Sequence, residues 1–259
     1  MLSYSADRIT RNTRTEYNAN GDELSCKTYN FGDELLSSYD YVYEYGEENI
    51  IIYQKTLFNG NPESEYFFEV ITENGELFPQ LKKAITYYEN GKIHHKGSYV
   101  NGEEEGVWQS WYQDGKTLER GNFVSGKMNG NWEVFYPDGV RKTQTTYKDD
   151  LKNGVEILYD ENGDIYQKAF YSEGVLNGLW EKYLNGTLVE KGVYRMGKKD
   201  GKWIFYAANG YKQREQEFSE GKPDGKWVEY YSTDKKSAEG EYKNGIKNGT
   251  WKKYDRSGN

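Results

Sequence analysis

A repeat of about 24 residues is the feature that most constrains what this chain can fold into. Seven glycines recur at spacings of 23 or 24 residues, and six of them are followed two residues later by tryptophan. In the remaining copy Glu156 takes the place of the tryptophan. These opening glycines are Gly106, Gly130, Gly154, Gly178, Gly201, Gly225 and Gly249. A fixed period of this length indicates a repeat protein.

Each repeat reads as strand, turn, strand, turn. The glycine and tryptophan are followed by an aromatic residue or pair and, in most copies, by Asn-Gly or Asp-Gly, which supply the positive φ angles of hairpin turns. The pattern predicts an all-β, elongated repeat array of antiparallel β-hairpins. Trp132 and Phe135 are three residues apart, so an ideal strand would place them on opposite faces. Either both faces are covered or a bulge re-aims one side chain.

Composition divides the chain near Pro79. Residues 1–81 hold 15 acidic and 5 basic side chains, a net charge of −10, whereas residues 179–259 have a net charge of +5. We expect residues 1–81 to form an acidic, irregular β-hairpin region that caps the array, and residues 82–259 to form the array. Strand-like runs in the first region are 39–45, 50–58 and 66–72.

The bulk composition excludes several classes of protein. Aromatic residues make up 17% of the chain, which is incompatible with disorder. No apolar run approaches the length of a membrane span, and the first 17 residues lack the apolar segment of a signal peptide. Cys26 is the single cysteine, which excludes an internal disulfide and fits a reducing compartment. We therefore expect a cytoplasmic protein.

No motif for catalysis, cofactor binding or metal binding is present. His94 and His95 are adjacent, so a strand would point them to opposite faces and they could not chelate one metal together. There is no phosphate loop, nucleophile elbow or metal-spaced Cys/His cluster. The sequence predicts neither an enzyme nor a metal or cofactor site.

Two sets of aromatic residues differ in how regularly they recur. One tryptophan recurs at the same place in nearly every repeat and is predicted to form the structural core: Trp108, Trp132, Trp180, Trp203, Trp227 and Trp251. A second aromatic is present in some repeats and replaced in others, which favours a partly exposed face used for partner contact: Tyr112, Tyr136 and Tyr231.

The repeated Gly-x-Trp-x-x-Tyr, Asn/Asp-Gly and Gly-x-Tyr-x-x-Gly elements resemble the MORN-repeat variant of bacterial YwqK-like proteins, a group of proposed antitoxins. The resemblance covers residues 82–259 well and residues 1–81 poorly. It implies a hairpin-repeat scaffold and a protein partner. The eukaryotic MORN repeat has a different glycine spacing, so its lipid-binding properties are not implied.

The sequence leaves three binding functions open. The first is an antitoxin or immunity protein that neutralises a basic toxin, with recognition by a segment that contains no Lys or Arg: Asp33, Glu34, Asp40, Glu44, Glu47 and Glu48. The second is a glycan- or cell-envelope-binding module, since aromatic repeats stack on sugars. The third is a passive scaffold for several proteins. Nucleic acid is not an expected partner because the acidic region would repel it.

Overall fold

The structure is a computed structural model that describes residues 3–5, 8–29, 35–45 and 50–259, with side chains described from residue 13 onward. All regular elements in these ranges are β-strands, as the sequence predicts. None of the described part forms a helix long and apolar enough to span a membrane. The chain divides into two compact units, Met1–Lys127 and Met128–Asn259.

The strands follow one another along the chain in antiparallel pairs. In the first unit they are β1 Ser3–Ser5, β2 Arg8–Tyr17, β3 Glu23–Tyr29, β4 Leu35–Tyr45, β5 Ile51–Phe58, β6 Asn61–Glu73, β7 Glu76–Tyr87, β8 Ile93–Val100, β9 Glu103–Trp111 and β10 Thr117–Val124. A two-residue strand, β11, spans Lys127–Met128. In the second unit they are β12 Gly130–Phe135, β13 Arg141–Lys148, β14 Leu151–Tyr159, β15 Ile165–Ser172, β16 Val175–Leu184, β17 Thr187–Arg195, β18 Lys198–Tyr206, β19 Lys212–Ser219, β20 Lys222–Tyr230, β21 Lys236–Lys243 and β22 Ile246–Lys253. From β2 to β10 and from β12 to β22, each strand pairs with the next one in the chain.

Two kinds of turn alternate between the strands of the repeats. One is a two-residue turn with two positive φ angles, as at Asn101 (52°) and Gly102 (82°). The other is a three-residue loop, as at residues 113–115, which ends in a glycine with a positive φ angle. In this example Gly115 has a φ of 92°, and its N–H donates to the Tyr112 carbonyl at 2.8 Å. The repeat opened by Gly178 has a two-residue Asn-Gly turn at 185–186 in place of this loop, and this explains why it is one residue shorter.

A bulge surrounds the opening glycine of the repeats. Between β15 and β16, Ala169 pairs with Trp180 and Tyr171 pairs with Leu176, so the first strand of the repeat carries extra residues there. Gly178 lies in this bulge at φ 144°. A Cβ on it would lie 2.9 Å from the Phe170 ring, which explains why this position is glycine.

Side chains are buried on both faces of the strands, which bears on the question that the spacing of Trp132 and Phe135 raises. Trp203 is 0% exposed on the tryptophan face, the face that carries the repeated tryptophans. Val228 is 1% exposed, and it lies one position beyond the tryptophan of its own repeat, on the opposite face. A second register shift separates Val134 from Phe135. The strands therefore bury some side chains on each face and also carry bulges.

Glycine on the neighbouring strand seats three of the tryptophans. A Cβ on Gly97, Gly192 or Gly240 would lie within 2.4 Å of the ring of Trp108, Trp203 or Trp251, respectively. The repeat of Trp132 also has a glycine there, Gly121, whereas three repeats carry a larger residue at this position: Thr145, Ala169 and Gln216. The tryptophans that lie opposite Ala169 and Gln216 pack on the tryptophan of the next repeat instead. The Trp180 and Trp203 ring centroids are 5.5 Å apart, and those of Trp227 and Trp251 are 5.0 Å apart.

The repeat without tryptophan fills the same place with a polar group. Glu156 is 6% exposed and forms an ion pair with Lys152, whose ammonium lies 4.9 Å from the centre of the Tyr171 ring. Thr145, which occupies the glycine-seat position, donates its hydroxyl proton to Glu156 Oε1 at 3.4 Å. Burial, the largest single effect, would lower the pKa of Lys152, but the hydrogen bond to Glu156 and the charge interactions with Glu156, Tyr171 and Tyr147 together outweigh it, and the pKa is raised. The buried carboxylate is therefore paired.

Candidate functional site

Two of the predicted acidic residues lie in β4. Asp40 is half-buried and Glu44 is exposed. The rings of Tyr41, Tyr43 and Tyr45 follow one another along the other face of this strand, with centroids 6.5 and 6.1 Å apart. The remaining members of the predicted set lie outside the described residues: Asp33, Glu34, Glu47 and Glu48. A role of this segment in partner recognition stays a prediction.

The second-aromatic tyrosines connect one repeat to the next. The Tyr136 hydroxyl donates to the Tyr159 carbonyl at 3.0 Å, and the Tyr231 hydroxyl donates to the Tyr254 carbonyl at 2.7 Å. Tyr112 is half-buried, like the other two. The hydroxyls of Tyr136 and Tyr231 therefore have structural partners, and contact with a binding partner through the exposed part of the three rings stays a prediction.

The predicted core tryptophans differ in their burial. Trp203 is completely buried. The other five are half-buried: Trp108, Trp132, Trp180, Trp227 and Trp251. Lysine side chains cover two of the rings, with Lys199 Nζ 3.9 Å from the Trp203 ring and Lys247 Nζ 4.2 Å from the Trp251 ring.

The described residues contain no group of three or more His, Cys, Asp or Glu side chains that could hold a metal ion. His94 and His95 are half-buried and pack on aromatic rings. His94 lies 4.4 Å from Tyr88, and the Nδ1 of His95 is 2.9 Å from the Thr86 hydroxyl oxygen. Burial, and then the neighbouring His94, lower the pKa of His95. Cys26 is half-buried beside Thr15.

Three positions on the opposite face vary from repeat to repeat. They lie three residues before the opening glycine, one residue after it, and sixteen residues after it (fifteen in the shorter repeat). In the repeats opened by Gly201 and Gly225 they are charged: Lys198, Lys202, Glu217, Lys222, Lys226 and Glu241. In the repeats opened by Gly154 and Gly178 they are all apolar: Leu151, Val155, Phe170, Val175, Leu179 and Val193.

These six apolar residues form one exposed patch on β14–β17, which we call the apolar patch. Val155 pairs with Phe170 and Leu179 pairs with Val193 across neighbouring strands. The side chain of Leu151 reaches the turn at Gly174, where a Cβ added to the glycine would lie 3.5 Å from Leu151 Cδ2. Each residue of the patch is between 41% and 53% exposed. Together they expose about 500 Å² of apolar surface, the size of a patch that commonly serves binding.

Charges of both signs surround the apolar patch. Exposed carboxylates at Asp149, Asp150 and Glu173 lie in the turns beside it, and the exposed ammonium groups of Lys198 and Lys202 lie on the next strand. The Lys198 ammonium is 3.9 Å from Glu220, and the Lys202 ammonium is 2.8 Å from Glu215. The rim is therefore mixed in sign, unlike the one-sign surface that anionic lipid or nucleic acid requires.

The first unit contains a cleft of about 520 Å³ that we call the aromatic cleft. Aromatic rings and two exposed carboxylates are among the residues that line it: Tyr39, Phe58, Tyr87, Tyr88, Glu63 and Glu89. Tyr39 and Phe58 pack together with centroids 4.9 Å apart. The Tyr88 hydroxyl donates to the Trp111 carbonyl at 2.7 Å, which fixes one wall.

Neither the apolar patch nor the aromatic cleft is among the site residues that sequence reasoning selected. The patch could have been found by aligning the repeats with one another. Scaffold residues recur at the same position in each repeat, whereas the patch positions are all apolar in two consecutive repeats and mostly polar or charged in the others. The cleft has no comparable signal, since its rings come from separate strands outside the regular repeat.

Comparison with known families agrees with this architecture. The MORN repeat variant matches residues 81–101, 104–125, 128–149, 152–173 and 223–244, so the chain is a MORN-repeat protein. Residues 174–222 lie between matched segments, yet β16–β19 continue the same strand pattern there. MORN repeats generally mediate protein or membrane interactions, which fits a protein-binding repeat protein. No curated protein is similar enough to the chain to match it.

Proposed function

We propose that this chain is a non-catalytic, protein-binding repeat protein and that the apolar patch is the centre of its partner interface. The patch supports this because all its positions are apolar in two consecutive repeats, whereas most of the equivalent positions elsewhere are polar or charged. Its exposed area of about 500 Å² would supply the apolar centre of a standard interface, which buries roughly 800 Å² on each partner. Residues that only support the scaffold would not need to be apolar at all three positions in these two consecutive repeats and polar or charged in most others.

The occupant we propose is a folded protein with its own apolar surface. The mixed charges around the patch favour a protein, whose surface carries both signs, over a lipid headgroup layer or a nucleic acid. A second copy of this chain is the main competitor, because a patch can pair with itself about a twofold axis. The test below separates these occupants.

At a finer level we propose an antitoxin or immunity protein that neutralises a basic protein in the cytoplasm. Residues 1–127 contain 21 acidic and 12 basic side chains, a net charge of −9, whereas residues 128–259 are almost neutral at +1. An acidic unit speeds association with a basic partner without changing the fold. The resemblance to proposed antitoxins supports the same function.

The experiment uses a charge placed at the centre of the apolar patch. Leu179→Asp should abolish partner binding, while Lys226→Asp, at the same position of a charged repeat, should leave it unchanged. Leu179 is 53% exposed, so the substitution should lower the unfolding free energy by only about 1 kcal/mol, a small part of a typical total. Proteins retained from cells by the wild type and by Lys226→Asp, but not by Leu179→Asp, would be purified and titrated calorimetrically.

A purified protein whose affinity falls at least tenfold for Leu179→Asp supports the proposal. An equal affinity for the wild type and both variants overturns it. Concentration-dependent dimerisation that Leu179→Asp removes would identify a second copy as the occupant instead. Binding to vesicles of phosphatidylcholine and phosphatidylserine that the same variant removes would identify a membrane. Restored growth when the chain is co-expressed with a toxic partner tests the antitoxin role separately.

A further inference from the structure

The rings of the aromatic cleft have no cation over them among the described residues, in contrast to rings elsewhere in the chain. Basic side chains of the protein cover many aromatic rings: Arg214 lies 4.0 Å from the Phe205 centroid, Lys212 lies 4.1 Å from Tyr230 and Arg14 lies 4.5 Å from Tyr29. Electron-rich ring faces attract cations, and Arg or Lys is the usual occupant. The cleft is therefore lined by aromatic rings that no basic residue of the described part covers, although the protein elsewhere places its own basic residues over such rings.

The carboxylates of the cleft reinforce this preference. Glu63 and Glu89 line it, both are exposed, and no ion pair to a described Lys or Arg involves either of them. The unit that contains them has a net charge of −9. A cation that enters the cleft would meet two negative charges and several ring faces.

The walls of the cleft are fixed before any ligand arrives. Tyr39 and Phe58 pack at an interplanar angle of 45°, and Tyr88 is held by its hydrogen bond to the Trp111 carbonyl and by the His94 ring. A volume of about 520 Å³ is ample for one long side chain. Preorganised walls reduce the entropy that binding would otherwise lose.

From these observations we infer that the aromatic cleft binds a lysine or arginine side chain of the partner protein. The inference rests on the proposed protein-binding function and adds to it the chemistry of one contact. Tyr39, Phe58 and Tyr88 would contact the aliphatic stem and the cationic head, while Glu63 and Glu89 would pair with the charge. A sugar, which also stacks on rings, is the alternative that the test must separate.

The test uses peptides that differ only in charge. Ac-Gly-Arg-Gly-NH2 and Ac-Gly-Lys-Gly-NH2 would be titrated into the full chain, with the citrulline peptide as the neutral match for arginine. The readout is the ring ¹³C–¹H NMR signals of the cleft tyrosines, assigned by single Tyr→Phe substitutions. One isolated side chain should bind weakly, with a Kd on the order of 1–10 mM. Tyr166, 41% exposed in the other unit, is the control ring that should not shift.

We expect the arginine and lysine peptides to shift the signals of Tyr39 and Tyr88, and the citrulline peptide to leave them unchanged. Glu63→Gln and Glu89→Gln should each weaken binding by about two- to fivefold, because each removes one exposed charge. Raising the ionic strength from 0.02 M to 0.3 M should weaken it further. Phe58→Ala tests the wall, and an unchanged ring signal of Tyr99, which packs against Trp108 in the same unit at 5.6 Å, shows that the variant is folded.

Equal shifts from the citrulline peptide, from a chito-oligosaccharide, or in the double variant without both glutamates would overturn the inference. An absence of shifts from every peptide would overturn it as well. None of these results depends on the apolar patch, so the proposed function would stand or fall separately through Leu179→Asp. Conversely, a cleft that binds arginine would remain established even if the patch had no partner.

Discussion

Substituting Gly192 by alanine should destabilise the second unit severely, although it adds only one methyl group. The added Cβ would lie 2.2 Å from two carbon atoms of the Trp203 ring, well inside van der Waals contact. The backbone of Gly192 is outside the left-handed region, so alanine itself is not strained there. The cost therefore arises from the ring, which must move.

The ring of Trp203 has little space in which to move. It is completely buried, its Nε1–H donates to the Val193 carbonyl at 3.2 Å, and the rings of Trp180 and Tyr194 lie 5.5 and 5.1 Å away. Overpacking of this kind costs about 1–3 kcal/mol. Loss of the indole hydrogen bond adds about 1 kcal/mol. We expect Gly192→Ala to lower the unfolding free energy by about 2–4 kcal/mol.

A double-mutant cycle with Trp203→Ala isolates this contact. Trp203→Ala alone should cost about 3–5 kcal/mol as the truncation of a core aromatic. In that background Gly192→Ala should cost nothing, or stabilise by up to about 1 kcal/mol, because alanine suits a strand better than glycine does. Urea unfolding followed by far-UV circular dichroism is suitable, since it does not depend on tryptophan fluorescence. A cost for Gly192→Ala that is the same in both backgrounds would refute the reasoning.

Three further predictions concern hydrogen-bonded tyrosine and glutamate side chains. Tyr231→Phe should lower the unfolding free energy by about 0.5–1.5 kcal/mol in urea titration, because the Tyr254 carbonyl loses its donor at 2.7 Å, and no change would mean that water replaces the hydroxyl. Hydrogen bonds from Lys236 and Tyr254 lower the pKa of Glu239 to about 2. The Glu239 carboxylate therefore stabilises the fold fully above pH 4.5, and this contribution is lost as the pH falls towards 2. Glu239→Gln should flatten the dependence of the melting temperature on pH over that range. Burial, and then the hydrogen bond to Glu181, raise the pKa of Tyr183 to about 12. The neutral phenol therefore contributes fully to stability below pH 10, and this contribution is lost as the pH rises through 12. The difference in absorbance at 295 nm between wild type and Tyr183→Phe should show titration near pH 12, and a midpoint near pH 10 would contradict the prediction.

Most of the fold could be predicted from the sequence because it depends on local signals. The glycine, tryptophan and Asn/Asp-Gly pattern defines strands and turns within each repeat, and the structure confirms the hairpin array. The shorter repeat could not be explained in advance, since the Asn-Gly at 185–186 looks like the other turn signals and differs only in loop length. The glycine seats of Trp108, Trp203 and Trp251 also depend on pairing between strands, which spacing alone does not give.

The candidate site could be predicted only in part. Tyr112, Tyr136 and Tyr231 vary between repeats, and the hydroxyls of Tyr136 and Tyr231 bond to carbonyls of the next repeat, while partner contact through these rings stays a prediction. The positions of Leu151 and Val175 vary as well, and their significance depends on knowing that they lie on the same face as Phe170. Four of the predicted acidic residues lie outside the described residues, so recognition by that segment stays a prediction.

Side-chain footprinting of the complex with the purified partner tests the central claim most directly. Hydroxyl-radical labelling, read out by mass spectrometry, would compare Phe170 and Leu179 in the free and bound chain. Ile246, which is 74% exposed at the corresponding pre-glycine position of the last repeat, is the internal control. We predict that labelling of Phe170 and Leu179 falls severalfold on binding while labelling of Ile246 is unchanged. Unchanged labelling of Phe170 and Leu179 in a saturated complex would contradict the account.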